Sequence, residues 1–170
     1  RCRELVAVSG GKTFILFTSY ALLNQVYEKL DELQFQFPLI RQGDMPTGLM
    51  LKKFKEKPSV IFGTNSFWQG VDVPGDALQS VIITKLPFDV PKEPLTEARI
   101  EELRKQNIDP FRHSQIPRAI IQLKQGFGRL IRKKTDTGVV SILDSRMSRR
   151  GYGKQFIASL PPCPITTQLD

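Results

Sequence analysis

The chain has 170 residues, enough for one α/β domain with a core of its own. Its 40% hydrophobic content is that of a globular protein, and no apolar run approaches the roughly 20 residues that span a membrane, which excludes a spanning segment. A net charge of +8 favours polyanionic partners, nucleic acid before acidic lipid.

The chain opens on "RCREL", with neither an initiating Met nor a signal peptide. We therefore expect a domain of a larger, intracellular protein. Cys2 and Cys163 stand at opposite ends and form no CxxC pair, so neither a metal site nor a disulfide framework is expected. Residues 3–11, "RELVAVSGG", read as the end of a helix, with Gly10 or Gly11 in a left-handed cap. The Gly-Gly-Lys-Thr at 10–13 imitates a phosphate-binding loop. That loop needs G-x-x-x-x-G-K-[ST], and its first glycine would fall on Val6. It must also open a helix, whereas here Lys12 leads into the strongest strand pattern of the chain.

Strands are expected at "TFILFT" (13–18), "FPLIR" (37–41), "SVIFGT" (59–64), "SVIITKL" (80–86) and "GVVSIL" (138–143). Several are apolar on both faces, as in a parallel sheet covered on both sides. Helical spacing lies between them. "SYALLNQVYEKLDEL" (19–33) puts Leu23, Val26, Tyr27 and Leu30 on one face behind a Ser19 N-cap. "GLMLKKFKEK" (48–57) turns Met50, Leu51 and Phe54 inward. "LTEARIEELRKQ" (95–106) starts at a Thr96 N-cap, with Leu95 and Ile100 as a hydrophobic staple and a thin apolar face. His113 falls in a Pro-flanked loop with no Ser or Cys partner, which argues against a hydrolase relay. The longest helix covers "SQIPRAIIQLKQGFGRLIR" (114–132) and the basic residues after it. The last ten residues, "PPCPITTQLD", form an extended tail from 161 to 170. Alternating strands and helices give an open, doubly wound α/β sheet, in which ligands gather at the carboxyl ends of strands.

Two stretches carry the chemistry. On the long helix Ile120, Leu123, Phe127, Leu130 and Ile131 make an apolar stripe. Arg118, Gln122, Gln125, Arg129 and Arg132 make a polar one. Gly126 and Gly128 each cost about 1 kcal/mol relative to Ala inside a helix, so another backbone or a ligand is expected close by. Arginines beside such a gap suit phosphate oxygens, although a solvated basic face reads the same way. The second stretch, "GTNSFWQGVDVPG" (63–75), follows a strand and holds Gly70, Asp72, Phe67 and the only Trp, Trp68. One of the two aromatics is expected in the core. The other is open to a base-stacking role.

"GTNSFWQGVD" resembles motif V of superfamily 2 helicases, "QGFGRLIR" resembles motif VI (Q-x-x-G-R-x-x-R), and "ILFTSY" resembles motif IV. With "KLPFDVPKEPL" and "QGFGRLIRKKTDTGVVSILDSR", the chain is similar to the DinG branch of the XPD/DinG-like helicases over residues 1–160. The resemblance implies a second RecA-like motor domain, a P-loop-type three-layer sandwich with a mainly parallel sheet and helices on both faces.

By that resemblance Arg132 is the arginine finger that reaches the γ-phosphate. Arg129 sits on phosphate or on Asp72, and Gln125 positions the γ-phosphate or the attacking water. Gly70, Asp72 and Gly128 line the nucleotide or couple it to DNA. Phosphoryl transfer spreads charge that a positioned Arg stabilises. Single-stranded DNA is expected over Thr18, Ser19, Arg41, Gln42, Thr64, Asn65 and Ser66, where short polar side chains make contacts without sequence information. "RKK" (132–134) and "RMSRRGYGK" (146–154) add basic charge, which also serves plain solubility.

The family carries its Walker A loop, its Asp-Glu-x-His box and its four-cysteine cluster in the first motor domain or that domain's insertions. None is present in this chain. ATP and Mg²⁺ are thus expected mostly on that partner domain of the same polypeptide, and any iron–sulfur cluster outside this chain. The implied activity is that of half an ATP-driven DNA helicase or translocase, 5′ to 3′, in bacterial cytoplasmic DNA repair or replication. Two alternatives stay open: an RNA helicase, and an ATP-regulated DNA clamp attached to an exonuclease.

Overall fold

The computed structural model describes residues 2–68, 71, 73, 77–90, 93–131 and 137–167, without the side chains of residues 65 and 66. Five strands form one sheet: β1 Thr13–Leu16, β2 Leu39–Arg41, β3 Val60–Gly63, β4 Ser80–Ile83 and β5 Val139–Ile142. Their order is β2-β3-β1-β4-β5, and every neighbouring pair is parallel. Each expected strand is present, trimmed at its ends.

Both faces of the sheet are covered, because successive side chains of a strand point to opposite sides. Phe14 and Leu16 of β1, Ile61 of β3, and Val81 and Ile83 of β4 pack into one core with Met50, Phe54, Trp68 and Leu123. Ile15, Val60, Phe62 and Ile82 pack into the other with Leu5, Val6, Leu23 and Leu30. The three inner strands are buried along their whole length, whereas edge strands β2 and β5 are only partly covered. The result is the expected three-layer α/β sandwich.

The helices follow local signals where those are strong. α1, Cys2–Val8, stops at Gly10 and Gly11, whose φ values are +59° and +84°. Their N–H groups donate to Ala7 and Val6 carbonyls, both at 3.1 Å. The Gly-Gly-Lys-Thr run is therefore a helix stop and a strand entry. α2, Tyr20–Glu32, is capped by Ser19, whose Oγ accepts from the Leu22 N–H at 3.4 Å. α3, Thr47–Glu56, buries Met50 and Phe54 as expected. α4 is one turn, Asn65–Trp68, directly after β3.

Three expectations are corrected. α5, Pro94–Lys105, starts earlier than expected, because Pro94 occupies its first position and Glu93 is the cap residue. Thr96 is consequently inside the helix and buried, and Leu95 is 83% exposed, so no staple forms with Ile100. The long helix is shorter than expected. α6 covers Ile116–Phe127, ends at Gly128, and leaves Arg129 and Leu130 in a turn. It is preceded by a π-helical turn, Phe111–Gln115, which holds the exposed His113 where a loop was expected. Two short helices went unread: α7, Arg146–Arg149, and α8, Gly153–Ser159. Residues 161–167 carry no helix or strand.

Aromatic packing fastens these late elements to the sheet. Phe88 stacks on Phe111 with ring centroids 5.6 Å apart and meets Tyr152 and Phe156 edge-on or tilted. Among the described residues no helix is long and apolar enough to cross a membrane.

Candidate nucleotide and nucleic-acid sites at the carboxyl edge

Because all five strands are parallel, the residues that follow them emerge at one edge of the sheet. Thr18 and Ser19 follow β1, Gln42 follows β2, Thr64 follows β3, and Phe88 and Asp144 follow β4 and β5. The side chain of Gln42 bridges the first three loops. Its Oε1 accepts from the Thr64 N–H at 2.6 Å and the Thr64 hydroxyl at 3.1 Å, while its Nε2 donates to the Tyr20 hydroxyl at 2.8 Å. Thr64 is only 4% exposed, so it shapes the edge from beneath. Ser19 is exposed and spends its hydroxyl on the α2 cap. Arg41 is tied to Asp44, with Nη2 to Oδ1 at 2.9 Å, and its guanidinium lies 4.7 Å from the Tyr27 ring centroid. The hydrogen bond that Arg41 Nε donates to Asp44 Oδ1 holds the guanidinium still more firmly protonated. Asn65 and Ser66 open α4, but their side chains lie outside the described residues. Thr18 lines a shallow hollow with Phe88, Asp89 and Gln122.

The polar stripe of α6 is used unevenly. Arg118 Nε donates to Asp89 Oδ2 at 2.5 Å, which fixes the loop after β4 rather than facing a phosphate. Gln125 is half-buried, and its Oε1 is a buried acceptor with no hydrogen-bond partner among the described residues. Arg129 Nη1 donates to the Val71 carbonyl at 2.7 Å. This contact ties motif VI to the backbone beside Asp72. Asp72 itself, like Gly70 and Arg132, lies outside the described residues. Gly128 is the C-cap of α6.

A single aromatic joins the two motifs. The Trp68 ring is fully buried, and its Nε1 donates to the Phe17 carbonyl at 3.1 Å. A Cβ at Gly126 would stand 2.6 Å from the six-membered ring of Trp68. The close neighbour at Gly126 is thus a side chain, not the backbone or ligand expected, and a Cβ at Gly128 would meet only the Lys124 and Gln125 carbonyls among the described residues. Phe67 is also buried, edge-on against Phe14 at 5.9 Å, so both aromatics of the stretch belong to the core.

Asp144 escaped the sequence reading. Its Oδ2 accepts from the Leu86 N–H at 2.8 Å and from Arg146 Nη2 at 2.6 Å, and Oδ1 accepts from the Arg146 N–H at 3.0 Å. Burial works against its charge, but the bonds from Arg146 and Leu86 outweigh it and hold the carboxyl below the ordinary carboxylate value. The only cue in "LDSR" was an Asp directly after a strand, poised for a turn bond two residues on. A depressed carboxylate stabilises the fold above its ordinary pKa and loses that contribution as pH falls through the folded value. Urea unfolding of Asp144→Asn should therefore show a loss of about 1–3 kcal/mol near neutrality that shrinks towards acid pH. A loss that is the same at both ends would contradict this role.

This geometry, a five-stranded parallel sheet covered by helices on both faces with polar loops at one edge, is that of a RecA-like α/β domain. A family model described as the helicase C-terminal domain matches residues 2–163, and the chain belongs to that family. It is 48% identical over 167 residues, 98% of its length, to the ATP-dependent DNA helicase YoaA of Haemophilus influenzae, of which it spans 26%. It is 38% identical over 164 residues, 94% of its length, to the 3′-5′ exonuclease DinG of Bacillus subtilis, of which it spans 18%. The solved structure of S. tokodaii Xpd4 shares the fold, with a TM-score of 0.66 over 92% of this chain and 31% of that one, at 18% identity. The chain thus spans about a quarter or less of the curated relatives named here.

Proposed function

We propose that this chain is the second motor domain of an ATP-dependent DNA helicase or translocase of the DinG/YoaA kind. In this reading it supplies Arg132 as an arginine finger and carries part of a single-stranded DNA track. The observation that carries the nucleotide role is the buried Gln125 Oε1. A buried carbonyl without a donor is costly, and this one stands a turn away from Arg129. A water donating to it would satisfy it, which fits a water held beside a nucleotide.

ATP bound with Mg²⁺ on the first motor domain supplies the phosphoryl group. Gln125 would orient the attacking water. Arg129, anchored by Val71, would hold the backbone at Asp72 and Gly70 in place, and Arg132 would meet the developing charge. Gly128 would lie beside the nucleotide together with Gly70 and Asp72. Ser19, Arg41 and Gln42 would meet the DNA backbone, with Thr18, Asn65 and Ser66 beside them and Thr64 holding Gln42. Polarity from 5′ to 3′, a role in repair or replication in the bacterial cytoplasm, and a domain ending near residue 160 belong to the same proposal. An iron–sulfur cluster, if the parent has one, would sit outside this chain.

The similarity to the exonuclease DinG of B. subtilis favours one second reading, an ATP-regulated DNA clamp. An RNA helicase is the other. ATPase and strand-displacement assays on the full-length parent separate all three. The helicase reading expects ATP turnover stimulated more by deoxy than by ribo strands, together with displacement, and no turnover from the 170-residue chain alone. Hydrolysis without displacement would favour the clamp, and equal stimulation by RNA the RNA helicase. Turnover by the isolated chain would contradict a two-domain motor.

A further inference from the structure

We infer that Tyr20 is a stacking contact for the single strand, aimed by the hydrogen-bond bridge through Gln42 to Thr64. The inference rests on the reading of this edge as a DNA track. Tyr20 is the first residue of α2 and is 51% exposed, while Leu23 and Leu30 bury the apolar face of that helix. A large aromatic is thus held at the surface where the core does not require it.

The bridge fixes its direction. A backbone N–H can only donate, so the Thr64 N–H identifies the Gln42 atom it meets as the carbonyl oxygen. The amide nitrogen must then face Tyr20, and the phenol oxygen is the acceptor. Gln42 and Thr64 are 22 residues apart in sequence, as are Tyr20 and Gln42, and they sit on the loops after three adjacent strands. A phenol tethered at its oxygen has less freedom to lose when a base lands on its ring. The neighbouring residues offer hydroxyls and amides, which suit phosphates. Among the three side chains of the bridge only Tyr20 has a π-face, while nearby Tyr27 lies under the Arg41 guanidinium and Phe88 packs against Phe111, Tyr152 and Phe156. Base stacking on an aromatic tolerates any sequence, as a translocating motor requires.

The test uses the full-length parent, an oligo-dT strand, and the same strand with abasic sites replacing the bases, with affinity read by fluorescence anisotropy. Tyr20→Ala should weaken oligo-dT binding about fivefold to a hundredfold. It should also be nearly indifferent to abasic substitution, to which the wild type is sensitive. Tyr20→Phe, which keeps the ring and loses the tether, should keep the abasic sensitivity at an affinity between those of the wild type and Tyr20→Ala. Unchanged binding by Tyr20→Ala, or equal abasic sensitivity in wild type and Tyr20→Ala, would overturn the inference while leaving the DNA track intact. A wild-type parent that binds no single strand would overturn both.

Discussion

Trp68→Ala should destabilise the domain by about 3–5 kcal/mol, read as the shift in urea unfolding. The ring is fully buried between the sheet and α6, so its removal leaves a void that neighbouring side chains cannot collapse into. It also strips the Phe17 carbonyl of a buried donor. The ring fills the space against Gly126, where α4 packs on α6, so the two helices lose that contact. Trp68→Phe keeps most of the volume and loses the hydrogen bond, and should cost clearly less. A loss below about 1 kcal/mol for Trp68→Ala would show that the two motifs are not joined through this ring.

The consequence extends beyond stability. Trp68 follows Thr64 by one helical turn, and Gly126 follows Gln125 directly. The loop proposed to hold DNA and the helix proposed to face ATP therefore meet at one packed contact. The Arg129 bond to the Val71 carbonyl makes a second link between the same two stretches.

Strands were the most legible part of the chain, because β-branched runs such as "SVII" signal themselves locally. The Gly10–Gly11 cap was legible for the same reason. The register of α5 was not, since Pro94 competes with Thr96 for the helix start and wins by its fixed φ. The end of α6 was hidden because its apolar spacing continues through Leu130 and Ile131 while the backbone turns at Gly128. At the site, motif spacing pointed to Gln125 and Arg129 but not to their partners. Trp68 reaches a carbonyl 51 residues away, and Asp144 an amide 58 residues away. Contacts at that separation leave no periodic trace in the sequence. Arg41 and Arg118 looked like free cations, yet each is paired with a carboxylate that local pattern did not assign to it.

The central claim is that this domain completes the catalytic site for ATP hydrolysis, and Arg132 bears the greatest weight in it. An arginine finger is worth roughly 10³–10⁵ in turnover, because it meets charge that exists only in the transition state. Arg129, whose Nη1 donates to the Val71 carbonyl, stands three residues before Arg132 in the sequence. The decisive measurement is single-stranded-DNA-stimulated ATP turnover of the full-length parent, wild type against Arg132→Ala, with DNA affinity measured alongside. The account predicts a loss of about a thousandfold or more in kcat with DNA binding retained. An unchanged kcat would contradict it, and would make the polar stripe of α6 a structural feature.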